Sequence, residues 1–481
     1  MNYIDKNREL LQNSFERIHT YLSQQNSEKS KPIAFKQAHE LKQLIDFEIG
    51  IKPVDESGFL HLIDQYLNYS VDTGNKQFLN QLYSGFNLPA FIGELFTSLT
   101  NTSMYTYEVA PVASLIETEM IRLMNSYAGY TNGDGIFLTG GSNANLLAML
   151  SARNRLLPES RLEGYDNSKK LTAFVNEQAH YSFDTAANII GIGSKNVIKV
   201  KTNKNGCMIP QELEEEIEKS LGRGETPFFV AATCATTLLG AYDPIEELVP
   251  ICQKHKLWLH ADGAFGGSLI LSEKHRHLLN GLHQTDSFAW NPHKLMNIPL
   301  ICSVLLVKNR TSLHHNITDI NADYIFHELN EAEDLGKKSI QCGRRVDAVK
   351  LWFAWKYFGL EGYQKRIDNL IDMASYAEEV VRHEPRLELM AKRISFAVCF
   401  RYKSENIIDL NSFNLALREE MRKKGSSMVN YGFIGNELVI RLVTTNGELT
   451  KQDISQFFEN LLNTAMTLEK NNKMMLVEEI A

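Results

Sequence analysis

Between residues 101 and 307, short apolar runs alternate with longer amphipathic stretches, and this alternation limits the fold more than any other feature of the chain. The runs cover 135–139, 171–175, 196–200, 228–232, 257–261, 287–290 and 302–307, with helical spacing between several of them, for example over 143–157 and 212–221. Apolar runs too short for helices, separated by helix-length segments, build an α/β domain with a largely parallel sheet covered on both faces. In such a sheet ligands gather at the carboxyl ends of the strands, so the residues just after each run come first.

The flanks read differently. Leu11, Phe15, Ile18 and Leu22 share one helical face in a polar segment, residues 27–32 break the pattern, and a second helical stretch is expected over 34–48. The acidic, weakly periodic stretch 322–339 reads as a loop near the core. Helices are expected over 345–358 and 364–384. A smaller α+β unit follows, with strands 394–402 and 437–443 and helices 412–424 and 452–469. The expected division is therefore an N-terminal helical segment 1–97 that packs on a partner, a large domain 98–360 and a small C-terminal α+β domain 361–481.

Bulk properties exclude several classes. A chain of 481 residues needs two or three domains. A net charge of −8 without a long Lys/Arg run argues against nucleic acid. There is no apolar run of about eighteen residues to cross a membrane, and residues 1–16 lack the apolar core of a signal peptide. The six cysteines are scattered without a Cys-x-x-Cys pair, which fits reduced thiols and a cytoplasmic location.

At the run ends stand residues with chemical potential. Gly140-Gly141-Ser142 follows the first run and opens a helix, as a phosphate cradle does and as many ordinary turns do. Asp262 ends a run that should be buried, where a carboxylate needs a partner. A protonated pyridine nitrogen, a helix N-terminus or a structural cation would each serve. His180 follows the second run and either lies flat on a cofactor ring or is a satisfied core histidine. Lys294 closes Ser287-Phe-Ala-Trp-Asn-Pro-His-Lys294, at a strand end where a lysine can be partly desolvated and nucleophilic. The clusters His275/His277/His283 and His314/His315 lack supporting ligands, so no metal is expected. Taken together, cradle, ring-facing histidine, carboxylate and lysine match the phosphate, ring face, ring nitrogen and aldehyde of pyridoxal 5′-phosphate (PLP).

Longer motifs accompany these positions: Asn80-Gln-Leu-Tyr-Ser-Gly85, Asn101-Thr-Ser-Met-Tyr-Thr-Tyr-Glu-Val-Ala-Pro111, Gly133-Asp-Gly-Ile-Phe, Glu177-Gln-Ala-His-Tyr-Ser182, Gly240-Ala-Tyr-Asp-Pro-Ile245, Asn291-Pro-His-Lys294 and Gln341-Cys-Gly-Arg344. From about Asn80 onward the chain resembles the PLP-dependent group II amino-acid decarboxylases, in the branch of glutamate, cysteine sulfinate and acidic-amino-acid enzymes. The resemblance implies PLP fold type I, the aspartate-aminotransferase-like fold, and a homodimer with active sites at the subunit interface. It implies that Lys294 carries PLP as a Schiff base, and that His293 supports the phosphate and the reacting centre. It further implies that Gly141 and Ser142 hold the phosphate, His180 stacks on the ring and Asp262 pairs with the ring nitrogen. Thr237, Ala264 and Asn291 match further cofactor contacts, and Gln81, Tyr83 and Arg441 match positions that contact the acidic end of the substrate.

Departures from the family pattern bear on substrate and product. Tyr83 and Ser103 stand where the glutamate enzymes carry Ser and Asn, and a phenol there shortens the pocket. The expected reaction is α-decarboxylation of a short acidic amino acid, aspartate or cysteine sulfinate, to the amine. Glutamate or a specialised non-acidic amino acid is the alternative. Leu329 falls where the family has a proton-donating tyrosine, leaving Tyr324, His327 or water as donor. Oxidative deamination to an aldehyde and a non-catalytic PLP-binding homologue are minor alternatives. Gly263, Phe265, Ala235, Asn297 and Ile301 also depart from the family's residues.

Overall fold

The computed structural model describes residues 2–478 except 26, 28, 29, 167, 314–323 and 327–332, with backbone alone over 472–478. Its strands in chain order are β1 (Phe78–Leu79), β2 (Asp134–Leu138), β3 (Leu171–Asn176), β4 (Val197–Val200), β5 (Thr226–Thr233) and β6 (Trp258–Gly263). They continue with β7 (Ser287–Trp290), β8 (Ser303–Val307), β9 (Leu387–Leu389), β10 (Ala397–Tyr402), β11 (Met428–Ile434) and β12 (Glu437–Val443). The chain divides into two compact units, one formed by Phe86–Asp372 with Ala391–Ala397, the other by Met1–Gly85, Met373–Met390 and Val398–Ala481.

The first unit is built on a seven-stranded sheet in the order β2-β8-β7-β6-β5-β3-β4. All seven expected runs are strands in it. β8 is antiparallel to both neighbours, and every other pairing is parallel. β2, β3, β6, β7 and β8 are buried along their whole length. That is why they read as unbroken apolar runs rather than alternating ones: both faces are covered. Among the covering helices is Gly141–Leu156, whose residues Ala144, Leu147, Ala148 and Ala152 lie in one core cluster with Ile136, Val175, Phe229 and Leu305 of the sheet. The parallel pairings level Thr233 with Asp262 and Asp262 with Ala289. The carboxyl ends of β2, β3, β5, β6 and β7 therefore share one edge of the sheet.

The second unit holds a five-stranded sheet, β1-β11-β12-β10-β9. Helices Leu410–Lys424 and Lys451–Glu478 belong to it, and Phe400, Phe413, Leu417, Phe457, Phe458 and Leu461 fill its core. Asp409 caps the first helix by accepting from Ser412 N at 3.1 Å, and Gly425 ends it at φ 64°.

Local structure departs from the sequence reading in three places. The second N-terminal helix is only Ala38–Leu44, because a capping box between Gln37 and Glu40 starts it late and Ile45 turns extended. β11 was not expected; its outer half alternates between exposed and partly buried residues around Gly432, so no apolar run marks it. The boundaries of the compact units also differ from 97/98 and 360/361. β1 pairs in parallel with β11, which ties the first 85 residues to the C-terminal sheet. The two helices expected on either side of residue 360 are both present within Asp347–His383, separated at Gly359 by φ 63°.

Candidate active site

Helix Gly141–Leu156 begins at the tip of β2. Gly140 leads into it at φ 132°, ψ 162°, a conformation closed to residues with a Cβ. Asn143 N and Ala144 N both turn to Gly140 O, at 3.0 and 3.2 Å, and the amides of Gly141 and Ser142 open the first turn, where no intrahelical acceptor exists. A Cβ at Gly141 would lie 2.8 Å from Asn291 Nδ2 and 3.1 Å from Ala264 Cβ. Three of the expected cofactor residues thus converge there, and only a glycine leaves the cradle open. Asn291 is buried, and its Oδ1 has no hydrogen-bond partner among the described residues.

Asp262 lies near the end of β6, 5% exposed. Its carboxylate accepts from Ala264 N at 3.1 Å and from Asn145 Nδ2 at 2.9 Å, both neutral donors. His180 is half-buried after β3 and accepts from Ser182 N at 3.2 Å on Nδ1. Burial lowers its pKa; the charge of Asp262 opposes that and the charge of Lys294 adds to it, so all three groups share one electrostatic environment. Lys294 follows β7 in a turn closed by its own amide on Asn291 O at 3.0 Å, and its Nζ lies 6.0 Å from the Phe265 ring centre.

His293 is buried beside Lys294, with Nδ1 2.7 Å from Cys302 O. Burial first, and the Lys294 charge second, push its pKa down to about 4, so the ring is neutral at physiological pH. Thr237 is exposed in the turn after β5, where Gly240 N donates to Thr236 O at 2.9 Å. Ser142 is also exposed.

The expected substrate residues lie in the other unit. Arg441, on β12, is buried and donates from Nη2 to Asn80 O at 2.7 Å, which fixes it beside the stretch carrying Gln81 and Tyr83. Burial lowers its pKa to about 10, so it is still a cation at neutral pH. The Tyr83 ring is 6.5 Å from that of Phe78. Of the candidate proton donors, Tyr324 is exposed, while His327 and Leu329 lie outside the described residues; so do His314 and His315.

Sequence reading missed Asn145, His260 and Ser287. All three are buried and hydrogen-bonded in series behind Asp262. The available signal was spacing: His260 and Asp262 alternate on one strand and so share a face. Elsewhere Glu214, Glu218 and His255 gather closely enough to hold an ion, but Lys254 already pairs with both carboxylates.

These residues fit PLP. The open cradle at a helix start suits a phosphate, a buried carboxylate held only by neutral donors suits a protonated ring nitrogen, and a strand-tip lysine suits the aldehyde. Comparison with known proteins agrees. Residues 38–403 match the model of the pyridoxal-dependent decarboxylase conserved domain. Human cysteine sulfinic acid decarboxylase is 38% identical over 451 residues, covering 90% of this chain and 91% of that one. Human acidic amino acid decarboxylase GADL1 is 36% identical over 436 residues, covering 88% and 84%. The crystal structure of mouse CSAD in apo form superposes with a TM-score of 0.92 at 36% identity, covering 95% and 98%. An Oryza sativa TDC crystallised with PLP and tryptamine shares the fold at 22% identity, with a TM-score of 0.89 and coverage of 98% and 99%. The chain belongs to the pyridoxal-dependent decarboxylase family, and is a PLP-dependent carboxy-lyase of fold type I that acts on an amino acid.

Proposed function

We propose that the substrate is a short acidic amino acid, aspartate or cysteine sulfinate, and that the product is the corresponding amine. The observation that carries this is Arg441, a buried cation fixed at 2.7 Å on Asn80 O, in the stretch that also carries Gln81 and Tyr83. A guanidinium binds a carboxylate or sulfinate bidentately, and Tyr83 shortens the reach available to a longer side chain. The similarity to cysteine sulfinic and acidic amino acid decarboxylases supports the same reading.

Bound PLP supplies a ring that takes up the electron pair left when CO2 departs. Lys294 would be the amine that holds the cofactor. The amides of Gly141 and Ser142, with Thr237, Ala264 and Asn291 around them, hold the phosphate end. Asp262 pairs with the ring nitrogen and His180 covers the ring face. Neutral His293 supports the reacting centre without adding a second positive charge. Tyr324 and His327 are the candidate donors of the proton that replaces CO2, and Gln81 assists Arg441 at the acidic end of the substrate.

Three further features belong to this reading. The enzyme is a homodimer, supported by an uncovered apolar face: helix Leu88–Thr100 exposes Leu88, Ile92, Leu95, Phe96 and Leu99 at helical spacing. The N-terminal segment packs on the partner, supported by helix Arg8–Gln24, which buries none of its residues and leaves Leu11 and Phe15 exposed. A cytoplasmic location is supported by six unpaired cysteines. No described helix is long and apolar enough to cross a membrane.

Parallel kcat/KM values for aspartate, cysteine sulfinate and glutamate test the substrate, with amine, aldehyde and H2O2 scored separately. The expected order puts glutamate last, and Tyr83→Ser should move the ratio towards glutamate by about tenfold or more. A wild-type preference for glutamate overturns the proposal. Light scattering should give twice the chain mass.

A further inference from the structure

Behind Asp262 the donors and acceptors fall in one possible order. A carboxylate only accepts, so Asn145 must turn its amide nitrogen to Asp262 Oδ2, at 2.9 Å. The second hydrogen of that nitrogen faces Ser182 Oγ at 2.9 Å. The Asn145 carbonyl then faces His260 Nε2 at 3.0 Å, and since it too only accepts, Nε2 must carry a hydrogen. His260 Nδ1 is left bare to accept from Ser287 Oγ at 2.8 Å, and the Ser287 oxygen accepts from Trp258 Nε1 at 2.8 Å. The ring of His260 is fully buried between Phe183 and Phe229, with centroids 6.2 and 5.8 Å away, and Asp262 is the charge that acts on it. Burial pushes its pKa down to about 4, which keeps the ring in this neutral tautomer.

We propose that Asn145, held by His260 and Ser287, is a positioning residue for Asp262: the relay Trp258→Ser287→His260→Asn145 delivers a fixed hydrogen bond that orients the carboxylate to receive the ring nitrogen of PLP. The inference rests on the proposed pairing of Asp262 with that nitrogen. Two strands and one helix are tied in this way to one oxygen atom. Trp258, His260 and Asp262 belong to β6, Ser287 pairs with His260 across β7, and Asn145 comes from the helix that also opens the cradle. Orientation of the carboxylate is thereby linked to the same helix whose first amides face the phosphate end.

The test compares two cofactors on the apoenzyme: PLP, and its 1-deaza analogue, in which a C–H replaces the ring nitrogen. Affinities are read from quenching of tryptophan fluorescence, with apoenzyme melting as a control for folding. Asn145→Ala should weaken PLP binding about 10- to 100-fold, the scale of a lost hydrogen bond to a charged group, and leave the deaza analogue bound as in wild type. Equal weakening of both cofactors, or of neither, overturns the proposal. Asp262→Asn separates the two levels of inference. If it discriminates between the cofactors and Asn145→Ala does not, the positioning role falls alone; if it does not discriminate, the pairing of Asp262 falls and takes the relay with it. Should Asn145→Ala fail to fold, Ser287→Ala carries the same comparison with a smaller, severalfold effect on PLP only.

Discussion

Asp262 and Glu117 are both carboxylates inside the larger unit, and their surroundings differ in kind. Glu117, 1% exposed, receives Arg344 from both sides: Nη1 and Nη2 reach Oε1 at 2.9 and 2.7 Å, and Nη2 reaches Oε2 at 2.7 Å. Phe137 N adds a further hydrogen bond at 3.0 Å. That charge is cancelled within the chain, and its work is to tie helix Pro111–Ala128 to β2 and to the Gln341–Arg344 motif. Asp262 is given only neutral donors, Ala264 N and Asn145 Nδ2. A buried anion treated in that way costs stability until a cation arrives. The difference separates a carboxylate that serves the fold from one kept for a ligand.

The comparison can be broken by exchanging losses. Asp262→Asn should lower kcat/KM by about 10²–10³-fold, the scale for losing one preorganised charge partner at a reacting centre. The melting temperature of its apoenzyme should be no lower than that of wild type. A large fall in apoenzyme stability would place Asp262 with Glu117. Glu117→Ala should do the reverse, leaving Arg344 buried and unpaired at a cost of about 3–5 kcal/mol in chemical denaturation.

Asp243 limits the contrast, because it too is held by neutral donors without being one of the cofactor residues. Asn176 Nδ2 at 2.7 Å, Met208 N at 2.6 Å and Thr233 N at 2.7 Å saturate it, yet burial raises its pKa from the ordinary 3.8 to about 6. A raised carboxyl pKa means that the folded state binds the extra proton. Its contribution to stability is full below pH 3.8 and is lost as pH rises through about 6. Asp243→Asn removes that loss. The melting temperature of the variant relative to wild type should rise between pH 4 and 6 and then level off, whereas a flat difference across that window refutes the assignment.

The smallest effect lies next to the tip of β5. Ala235 is held at φ 75°, where the family has glycine. Ala235→Gly should relieve strain and stabilise the fold by about 1 kcal/mol. A decrease would show that the alanine methyl is needed by its packing.

The first unit was legible because a buried, mostly parallel sheet demands continuous apolar runs, and each expected run became a strand. The tip residues were legible because strand order in such a sheet puts Gly141, Asp262 and Lys294 on one edge. β11 and the link between β1 and β11 were not legible, since a two-residue strand has no period and the second half of β11, around Gly432, has little burial to record. The relay from Trp258 to Asn145 was hidden for another reason. Each of its members is an ordinary core residue until the fold sets their hydrogen-bonding atoms within 3.0 Å of one another.

By itself the sequence determined the α/β class, the strand-tip lysine and its PLP chemistry, because these follow from local runs, turns and residue types. Only the tertiary structure decided which buried charges are closed and which stay open. That depends on partners distant in the chain, such as Arg344 for Glu117 and Asn145 for Asp262, and on the low polarity of the interior, which makes every missing or supplied partner count.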